Sequence, residues 1–422
     1  MAPERDVAIF EPMAFDLDFS ALRTTLAHRN FAIFTAGNAV SLLGSWVQKV
    51  AVGWLTWDLT HSATWLGAVA MAEFLPVIFL APITGVMADR FDRRRIALVG
   101  QILATVQAAS LAALTLSGNI TPMLILVLQT FQGFIQPLIQ TARLVIAPTL
   151  VPRANIGHAI ATTSMIFNLT RIIGPALSGA MIASIGPGYS FALNAVSYLF
   201  VIKALLTLRL PAHQLAPAQR ISLGASMWQD FVAGWRYTVA HPTLKWVIPT
   251  IVTAGMLTWP VGDLLAGIAD HEFGRGVAAL ATFASAQGIG AIFGGLFLIR
   301  RKDSAGIEKI FRRCIMLNGL FFAAFALTKI YWLAVPIYAI SGMFMVMGGA
   351  TSQTVIQSQA AEEMRGRALS IWYTATRAAM ALGAIALGSL ASAFGFTAPL
   401  LAAGLITFLM ALLIGRGCTS TP

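Results

Sequence analysis

Stretches of about twenty mostly apolar residues recur along the chain, separated by short segments rich in charge, glycine, proline or asparagine. A helical run of this length matches the hydrocarbon core of a bilayer. Backbone groups in lipid must be hydrogen-bonded within the segment, so such runs form helices. Twelve runs fit, with cores at 31–57, 64–88, 96–117, 121–141, 156–184, 188–208, 245–269, 276–299, 310–328, 331–357, 367–393 and 396–415. The pattern predicts an all-α polytopic membrane protein.

Composition supports a membrane protein: 57% of the residues are hydrophobic and only 11% are charged. The formal charge of +11 would suggest nucleic acid as a partner of a soluble protein. In a membrane protein the same excess marks the cytoplasmic side, so we expect no nucleic-acid partner. The two cysteines, Cys314 and Cys418, form no disulfide framework and no metal-ligand spacing. We therefore expect no metal and no cofactor.

The basic residues also predict the orientation of the chain. Of the 28 Lys and Arg residues, 22 fall on one side of the predicted membrane, and only Arg275 and Lys329 fall in loops on the other. Basic residues gather in cytoplasmic loops, so the asymmetry places both termini in the cytoplasm. The expected location is the bacterial inner membrane, crossed many times.

One connection is long, and it divides the twelve spans into six and six. Its first part is rich in Pro and Ala, and its second part has the pattern of an amphipathic helix carrying Trp228 and Trp235. An N-terminal amphipathic helix or a solvated lead-in both fit the first residues. The predicted domains are 1–30 (cytoplasmic segment), 31–208 (six-helix bundle), 209–244 (cytoplasmic linker), 245–415 (second six-helix bundle) and 416–422 (cytoplasmic tail).

The two halves echo each other in sequence. Thr170-Arg171 in span 5 and Thr376-Arg377 in span 11 occupy corresponding places, as do Ser164 and Ser370. Two like halves related by an axis along the membrane normal place a substrate site between them, near the middle of the bilayer.

The segment after span 2 resembles the signature loop of the major facilitator superfamily: Gly85-x-x-x-Asp89-Arg90-x-x-Arg93-Arg94. The resemblance covers nearly the whole chain and implies twelve transmembrane helices in two pseudo-symmetric six-helix bundles. It also implies a conformational latch formed by Gly85, Asp89, Arg90 and Arg94. A role in orientation alone explains the arginines but not Gly85 and Asp89. The second-half copy has Ile299 in place of the acid.

Finer features are similar to the branch that contains the enterobactin exporter and macrolide efflux pumps. These features are RNFAIFTAGNAVSLLGSWVQKVAVGW, TRIIGPALSG followed by FALNAVSYL, and MRGRALSIWY. In span 5, Gly174, Pro175 and Gly179 resemble the Gly-Pro motif of antiporters. The resemblance implies a hinge and favours export, although helix packing alone also explains such residues.

Five ionisable residues lie well inside predicted spans: Lys49, Glu73, Arg171, Asp263 and Arg377. A charge at this depth costs at least about 2.5 kcal/mol and suggests function. One interpretation is structural pairing, for instance of Lys49 with Glu73. The other makes Glu73 or Asp263 the proton carrier, while Arg171 and Arg377 bind an anionic substrate or tune the carboxylate. A third interpretation places Asp263 in an outer gate.

Polar residues supply further candidates for a substrate cavity. Proton antiporters of the superfamily usually carry an Arg in span 4, where this chain has Gln129, and this departure weakens that route of proton coupling. Gln129, Gln132, Gln136 and Gln140 form a stripe of helical period that lines a cavity or bonds to other helices. Asn38, Gln48 and Asn168 complete the polar candidates, with Lys49, Arg171 and Arg377.

We find no catalytic, nucleotide-binding or metal-binding motif in the sequence, which argues against an enzyme or an ATP-driven pump. The predicted function is secondary active transport by alternating access. The favoured form is proton-coupled export, by a monomer in the lipid bilayer, of an amphipathic or anionic small molecule such as a siderophore or drug. A lysophospholipid flippase and an importer of a small solute are the alternatives.

Overall fold

The first half of the chain folds into six long helices in the computed structural model, which describes residues 24–90, 92–208, 225–300 and 306–417. Two-residue and five-residue connections separate several of them, so neighbours in sequence run antiparallel. The helices are α1 (Arg29–Thr60), α2 (Ala63–Arg90), α3 (Arg93–Leu116), α4 (Pro122–Thr149), α5 (Ile156–Ile185) and α6 (Pro187–Thr207), with a 3₁₀ turn at Arg153–Asn155.

The second half begins with an amphipathic linker helix, α7 (Ala225–Ala240), and repeats the six-helix plan. Its first membrane helix consists of three pieces: α8 (Leu244–Leu257), α9 (Val261–Gly267) and a π-helical turn (Ile268–Glu272). The remaining helices are α10 (Gly276–Arg300), α11 (Ile307–Leu327), α12 (Tyr331–Gln359), α13 (Glu362–Phe394) and α14 (Thr397–Gly417).

Length and apolarity identify the membrane-crossing helices. Within the described ranges, ten segments are long and apolar enough to span a bilayer, and α14 adds a shorter apolar stretch, Thr397–Leu413. The twelfth is α1, whose 32 residues are long enough to span a bilayer although they include the polar Asn38, Gln48 and Lys49. The protein is an all-α polytopic membrane protein with twelve transmembrane helices, which confirms the predicted fold class.

The packing of the helices repeats between the halves. In the first half α1 packs on α5 and α6, α2 on α4, and α3 on α4 and α6. In the second half α8 packs on α13 and α14, α10 on α12, and α11 on α12 and α14. Each pair in the first list has its counterpart in the second, so the sequence repeat corresponds to a structural one.

Two predicted spans differ from the observed helices. The fourth core was predicted to end at 141, but α4 continues to Thr149, and Gln140 and Arg143 lie in a cavity rather than in a loop. The seventh core was predicted as one run, but it breaks between Leu257 and Val261. Pro260 has no N–H to donate, so the helix restarts after it.

The two halves meet through small residues. The helix α2 packs on α13, and α5 packs on α10. A Cβ added to Gly67 would collide with the backbone of Ala384, and one added to Gly388 would collide with Ala63. Glycine at these places lets the backbones approach closely, as in many membrane helix pairs.

The bundle has two unlike ends. One end carries the connections at 61–62, 117–121, 186, 273–275, 328–330 and 395–396, and we call it the short-loop end. Gly395 makes the turn there at φ 75°, a conformation that favours glycine. The opposite end carries Arg95, Arg153 and α7, and we call it the basic end.

Candidate functional site

Two adjoining cavities lie at mid-depth. The interface cavity, of about 200 Å³, lies between the halves. The N-half cavity, of about 180 Å³, is lined only by residues of α1, α2, α4, α5 and α6. Four residues line both: Trp46, Lys49, Glu73 and Gln129. The two spaces therefore form one candidate site, in the place that the repeat predicts.

An ion pair joins the two halves at this site. Lys49 Nζ of α1 lies 3.0 Å from Asp263 Oδ1 of α9. The Asp263 side chain is 12% exposed and that of Lys49 is 37% exposed, so water reaches the ammonium more easily. The sequence interpretation that paired Lys49 with Glu73 is wrong in its partner, because α9 brings a different carboxylate to Lys49.

Glu73 is the second carboxylate of the site. It lies on α2, is half-buried and lines both cavities. Among the described residues it makes no ion pair, whereas Asp263 is engaged by Lys49. The two carboxylates predicted as proton carriers are thus in one site but in different environments: Asp263 is paired across the halves and Glu73 faces the cavity.

A chain of buried amides supports the N-half cavity. Asn194 Nδ2 donates to Gln48 Oε1 (2.8 Å), Gln48 Nε2 to Gln107 Oε1 (3.0 Å), and Gln107 Nε2 to Gln129 Oε1 (3.1 Å). These bonds connect α6, α1, α3 and α4. Buried amides joined in this way hold their helices in one arrangement, because an unpaired amide in the same place is costly.

The glutamine stripe of α4 serves both roles that the sequence left open. Gln129 bonds to another helix, as just described. Gln132, Gln136 and Gln140 line the N-half cavity with it. Gln48 also lines this cavity, so the structure brings these candidates together.

Arg171 of the first half contacts the second half. Its Nη2 donates to Gln287 Oε1 of α10 at 3.2 Å, and Gln287 Nε2 donates to the Tyr338 hydroxyl at 3.0 Å. Its guanidinium carbon lies 5.8 Å from the ring centroid of Trp46. Both Arg171 and Trp46 line the interface cavity. Together they present a cation beside an aromatic face, which suits a planar or acidic substrate group.

Three predicted cavity residues lie elsewhere. Asn38 is buried in the first bundle, and the Asn168 amide donates to the backbone oxygen of Ser164 on its own helix. The Arg377 guanidinium carbon lies 5.2 Å from the Tyr373 ring centroid, beside Met380. None of the three belongs to the lining of the two described cavities.

The proposed hinge residues are points of close contact. A Cβ at Gly174 would collide with Trp46 of α1, and one at Gly179 would collide with Ala281 of α10. Pro175 lines the interface cavity. The Gly-Pro segment therefore brings α5 close to both a helix of its own half and a helix of the other half.

The latch is described only at Arg94. Gly85, Asp89 and Arg90 lie at the end of α2, and their side chains fall outside the described part of the structure. Arg94 Nη2 donates to the Leu206 backbone oxygen (2.6 Å), which ties α3 to α6 within the first half. The latch remains a prediction from the resemblance.

A cluster at the short-loop end holds the halves together, and the sequence reasoning missed it. Trp57 Nε1 donates to Asp270 Oδ2 (2.9 Å), and the Trp57 ring lies 6.0 Å from that of Phe396. Thr64 Oγ1 lies 3.0 Å from Ser392 Oγ. We call these five residues the end closure. The available signal in the sequence was a second acid: Asp270 lies seven residues after Asp263, which places the two carboxylates on one helical face.

The chain resembles transporters over most of its length. The pattern of the family described as transmembrane secretion effector matches residues 20–419. The chain is 28% identical over 393 residues to the multidrug efflux pump Tap of Mycolicibacterium fortuitum, covering 90% of this chain and 92% of that protein. It is 27% identical over 377 residues to the enterobactin exporter EntS of Shigella boydii, covering 89% and 87% respectively.

Solved structures agree on the fold. The nucleoside transporter NupG superposes with a TM-score of 0.72 at 14% identity, covering 93% of this chain and all of that one. A bacterial homologue of the lysosomal transporter Spinster, in an inward-facing and unoccupied conformation, superposes with a TM-score of 0.66 at 14% identity over 92% of this chain and 95% of that one. The chain belongs to the transmembrane secretion effector family and is a membrane transporter of the major facilitator superfamily, not an enzyme.

Proposed function

We propose that this transporter is a proton-coupled exporter of an amphipathic small molecule, in the chemical range of siderophores and hydrophobic drugs. The basic end faces the cytoplasm, as the distribution of Lys and Arg predicts. The end closure then faces outward, so its contacts join the halves on the outer side in the described structure. The location that follows is the bacterial inner membrane.

The observation that supports this proposal is the Lys49–Asp263 ion pair, which joins the halves beside Glu73, a carboxylate that makes no ion pair with another described residue. An ionisable residue at membrane depth is expensive unless it is paired or serves function. Three such residues at one interface couple charge to the relative position of the halves. A proton bound by either carboxylate changes the attraction between α1, α2 and α9.

Alternating access follows from this coupling. When Asp263 is ionised, its bond to Lys49 stabilises the state in which the short-loop end is closed. When the two side chains separate, that state is weakened and the outer end opens. Glu73 accepts either a proton or a hydrogen-bond donor of the substrate. The two compete for one carboxylate, which is the requirement for exchange of proton against substrate.

The walls of the cavities support an amphipathic substrate. Both halves supply mainly apolar residues to the interface cavity, such as Val50 and Leu66 of the first and Leu265 and Leu280 of the second. The first half adds the polar groups of Lys49, Glu73, Gln129 and Arg171, and the second half adds those of Asp263 and Gln287. The names of the two relatives, a multidrug pump and an enterobactin exporter, support export.

Transport into proteoliposomes tests the proposal. The purified chain is assayed with a catecholate siderophore, a macrolide and a lysophospholipid, with and without a pH gradient. We expect gradient-driven accumulation of one of the first two. Glu73→Gln should reduce that accumulation more than about thirtyfold but retain exchange of substrate across the membrane without a gradient, because the binding walls are intact.

Asp263→Asn provides the second arm, and Glu272→Gln is the matched control. Glu272 is a carboxylate near the short-loop end that pairs with Lys329, outside the linings of both cavities. Unchanged gradient-driven transport in both Glu73→Gln and Asp263→Asn would refute proton coupling. Movement of the lysophospholipid alone, without response to the gradient, would favour the flippase.

A further inference from the structure

Arg143 is a cation in the N-half cavity that the proposed coupling does not use. It lies within α4, is half-buried and lines the cavity together with Gln140 and Tyr198. Its Nη1 donates to Gln140 Oε1 at 3.4 Å, and it takes part in none of the ion pairs between described residues. A guanidinium without a carboxylate partner offers up to five N–H donors to an incoming acid.

Other arginines at the basic end differ from Arg143. The Arg95 side chain is 86% exposed, and Arg153 lies exposed in the 3₁₀ turn. Exposed arginines of this kind satisfy the orientation rule at little cost. Arg143 instead has its guanidinium in a protein cavity, where desolvation has to be offset by a bound partner.

A polar track connects Arg143 with the centre of the site. Gln132 and Gln136 line the cavity between Gln129 and Gln140. Gln132 is only 4% exposed, and its Oε1 has no hydrogen-bond partner within the described protein. A buried acceptor without a partner is costly, so it indicates a ligand donor at this place. Arg143 and Gln132 are eleven residues apart on α4, about 16 Å at 1.5 Å per residue, so together they match an extended ligand with an acidic group at one end and a hydroxyl or N–H towards the other.

The distance along α4 separates this chemistry from Glu73. Gln129, which lines both cavities beside Glu73, precedes Arg143 by about 21 Å at 1.5 Å per residue. An acid bound at Arg143 thus adds little charge near Glu73, since interactions over this distance are weak at physiological salt. Anion recognition and proton exchange are compatible because they use different parts of the site.

We propose that Arg143, with Gln140, is a capture site for the acidic group of an amphipathic organic acid entering from the basic end, and that Gln132 accepts a hydrogen bond from a hydroxyl or N–H farther along the same molecule. The role of this capture site in transport rests on the proposed function. Carboxylate, sulfonate and phosphate groups share the required chemistry. An anionic lipid headgroup presents the same chemistry, so the test separates the two sources.

The probes are anilinonaphthalene sulfonate and its uncharged parent, N-phenylnaphthylamine, which differ only by the sulfonate. Binding to the full chain in phosphatidylcholine nanodiscs is followed by fluorescence, with empty nanodiscs subtracted. We expect Arg143→Gln to weaken sulfonate binding about tenfold, as loss of a charged hydrogen bond predicts. Binding of the uncharged parent should stay within twofold. Arg143→Lys should restore most of the affinity, and Arg153→Gln is the exposed control.

Equal losses for both probes would indicate a structural role and overturn the proposal, as would unchanged sulfonate binding in Arg143→Gln or none in the unmodified chain. Repeating the titration with phosphatidylglycerol identifies the source: a wild-type affinity that phosphatidylglycerol lowers to the Arg143→Gln level would show that lipid occupies the site and overturn capture of substrate. If Arg143→Gln weakens sulfonate binding as expected but the protein transports neither probe, the result would count against the proposed function and not against the capture site.

Discussion

Arg171 and Arg377 follow a threonine at corresponding places in the two halves, on α5 and α13, yet their surroundings differ. Arg171 lines the interface cavity and bonds to Gln287 of the other half. Arg377 lies over Tyr373 and beside Met380 of its own helix, outside the cavity lining, although it is close enough to Lys49 and Glu73 to interact with both through its charge. The repeat preserved the residue, whereas the neighbouring helices decided whether it reaches the cavity.

The walls of the interface cavity show the same division. Within its described lining, the polar residues of the second half are Asp263 and Gln287. Each contacts a cation of the first half: Asp263 contacts Lys49, and Gln287 contacts Arg171. The polar groups of the second half therefore join the halves, while the first half carries most of the polar groups of this cavity.

Reversing the charge at the contact between the halves should have the largest effect. Lys49→Asp or Asp263→Lys alone places like charges together and should reduce transport more than about a hundredfold, since repulsion replaces the attraction that joins the halves. The double exchange should recover at least tenfold of that loss. Transport in proteoliposomes measures all three, and failure of the double variant to recover would show that the pair is not the element that couples the halves.

Substitution of the two corresponding arginines, Arg171 and Arg377, should have the next largest effects, and the effects should differ. Arg171→Gln is expected to lower kcat/KM about tenfold, because it removes a cavity cation and the bond to Gln287. Arg377→Gln should lower it less than about threefold. Initial rates over a range of substrate concentrations give both values. Similar losses in the two variants would mean that the halves contribute equally to recognition.

The smallest effect is expected on the apolar wall. Met345→Leu and Met380→Leu conserve volume and should change KM less than about twofold. Gln129→Leu on the polar wall removes one of the two acceptors of the buried Gln107 amide, leaving only the Leu128 backbone oxygen, and should lower the free energy of unfolding by about 1–3 kcal/mol. Thermal unfolding in detergent, together with KM, tests the contrast, and a methionine variant as harmful as Gln129→Leu would contradict it.

The hydrophobic pattern was sufficient to predict twelve helices and their division into two groups of six. In lipid, the polar backbone groups of an apolar segment have few ways to form hydrogen bonds other than a helix. It was also sufficient to identify Lys49, Glu73, Arg171 and Asp263 as exceptional, since a charge inside an apolar run is visible in the sequence itself. The spacing of Gln129, Gln132, Gln136 and Gln140 likewise predicted one polar face.

Only the tertiary structure decided which charges meet. Lys49 and Asp263 are far apart in sequence, and Glu73 was the more obvious partner until α9, restarted after Pro260, brought Asp263 within 3.0 Å of Lys49. The same holds for Trp57 with Asp270, and for Arg171 reaching the cavity while Arg377 does not. Helical periodicity determines the face on which a side chain lies, but the partner of that face depends on packing between the two halves.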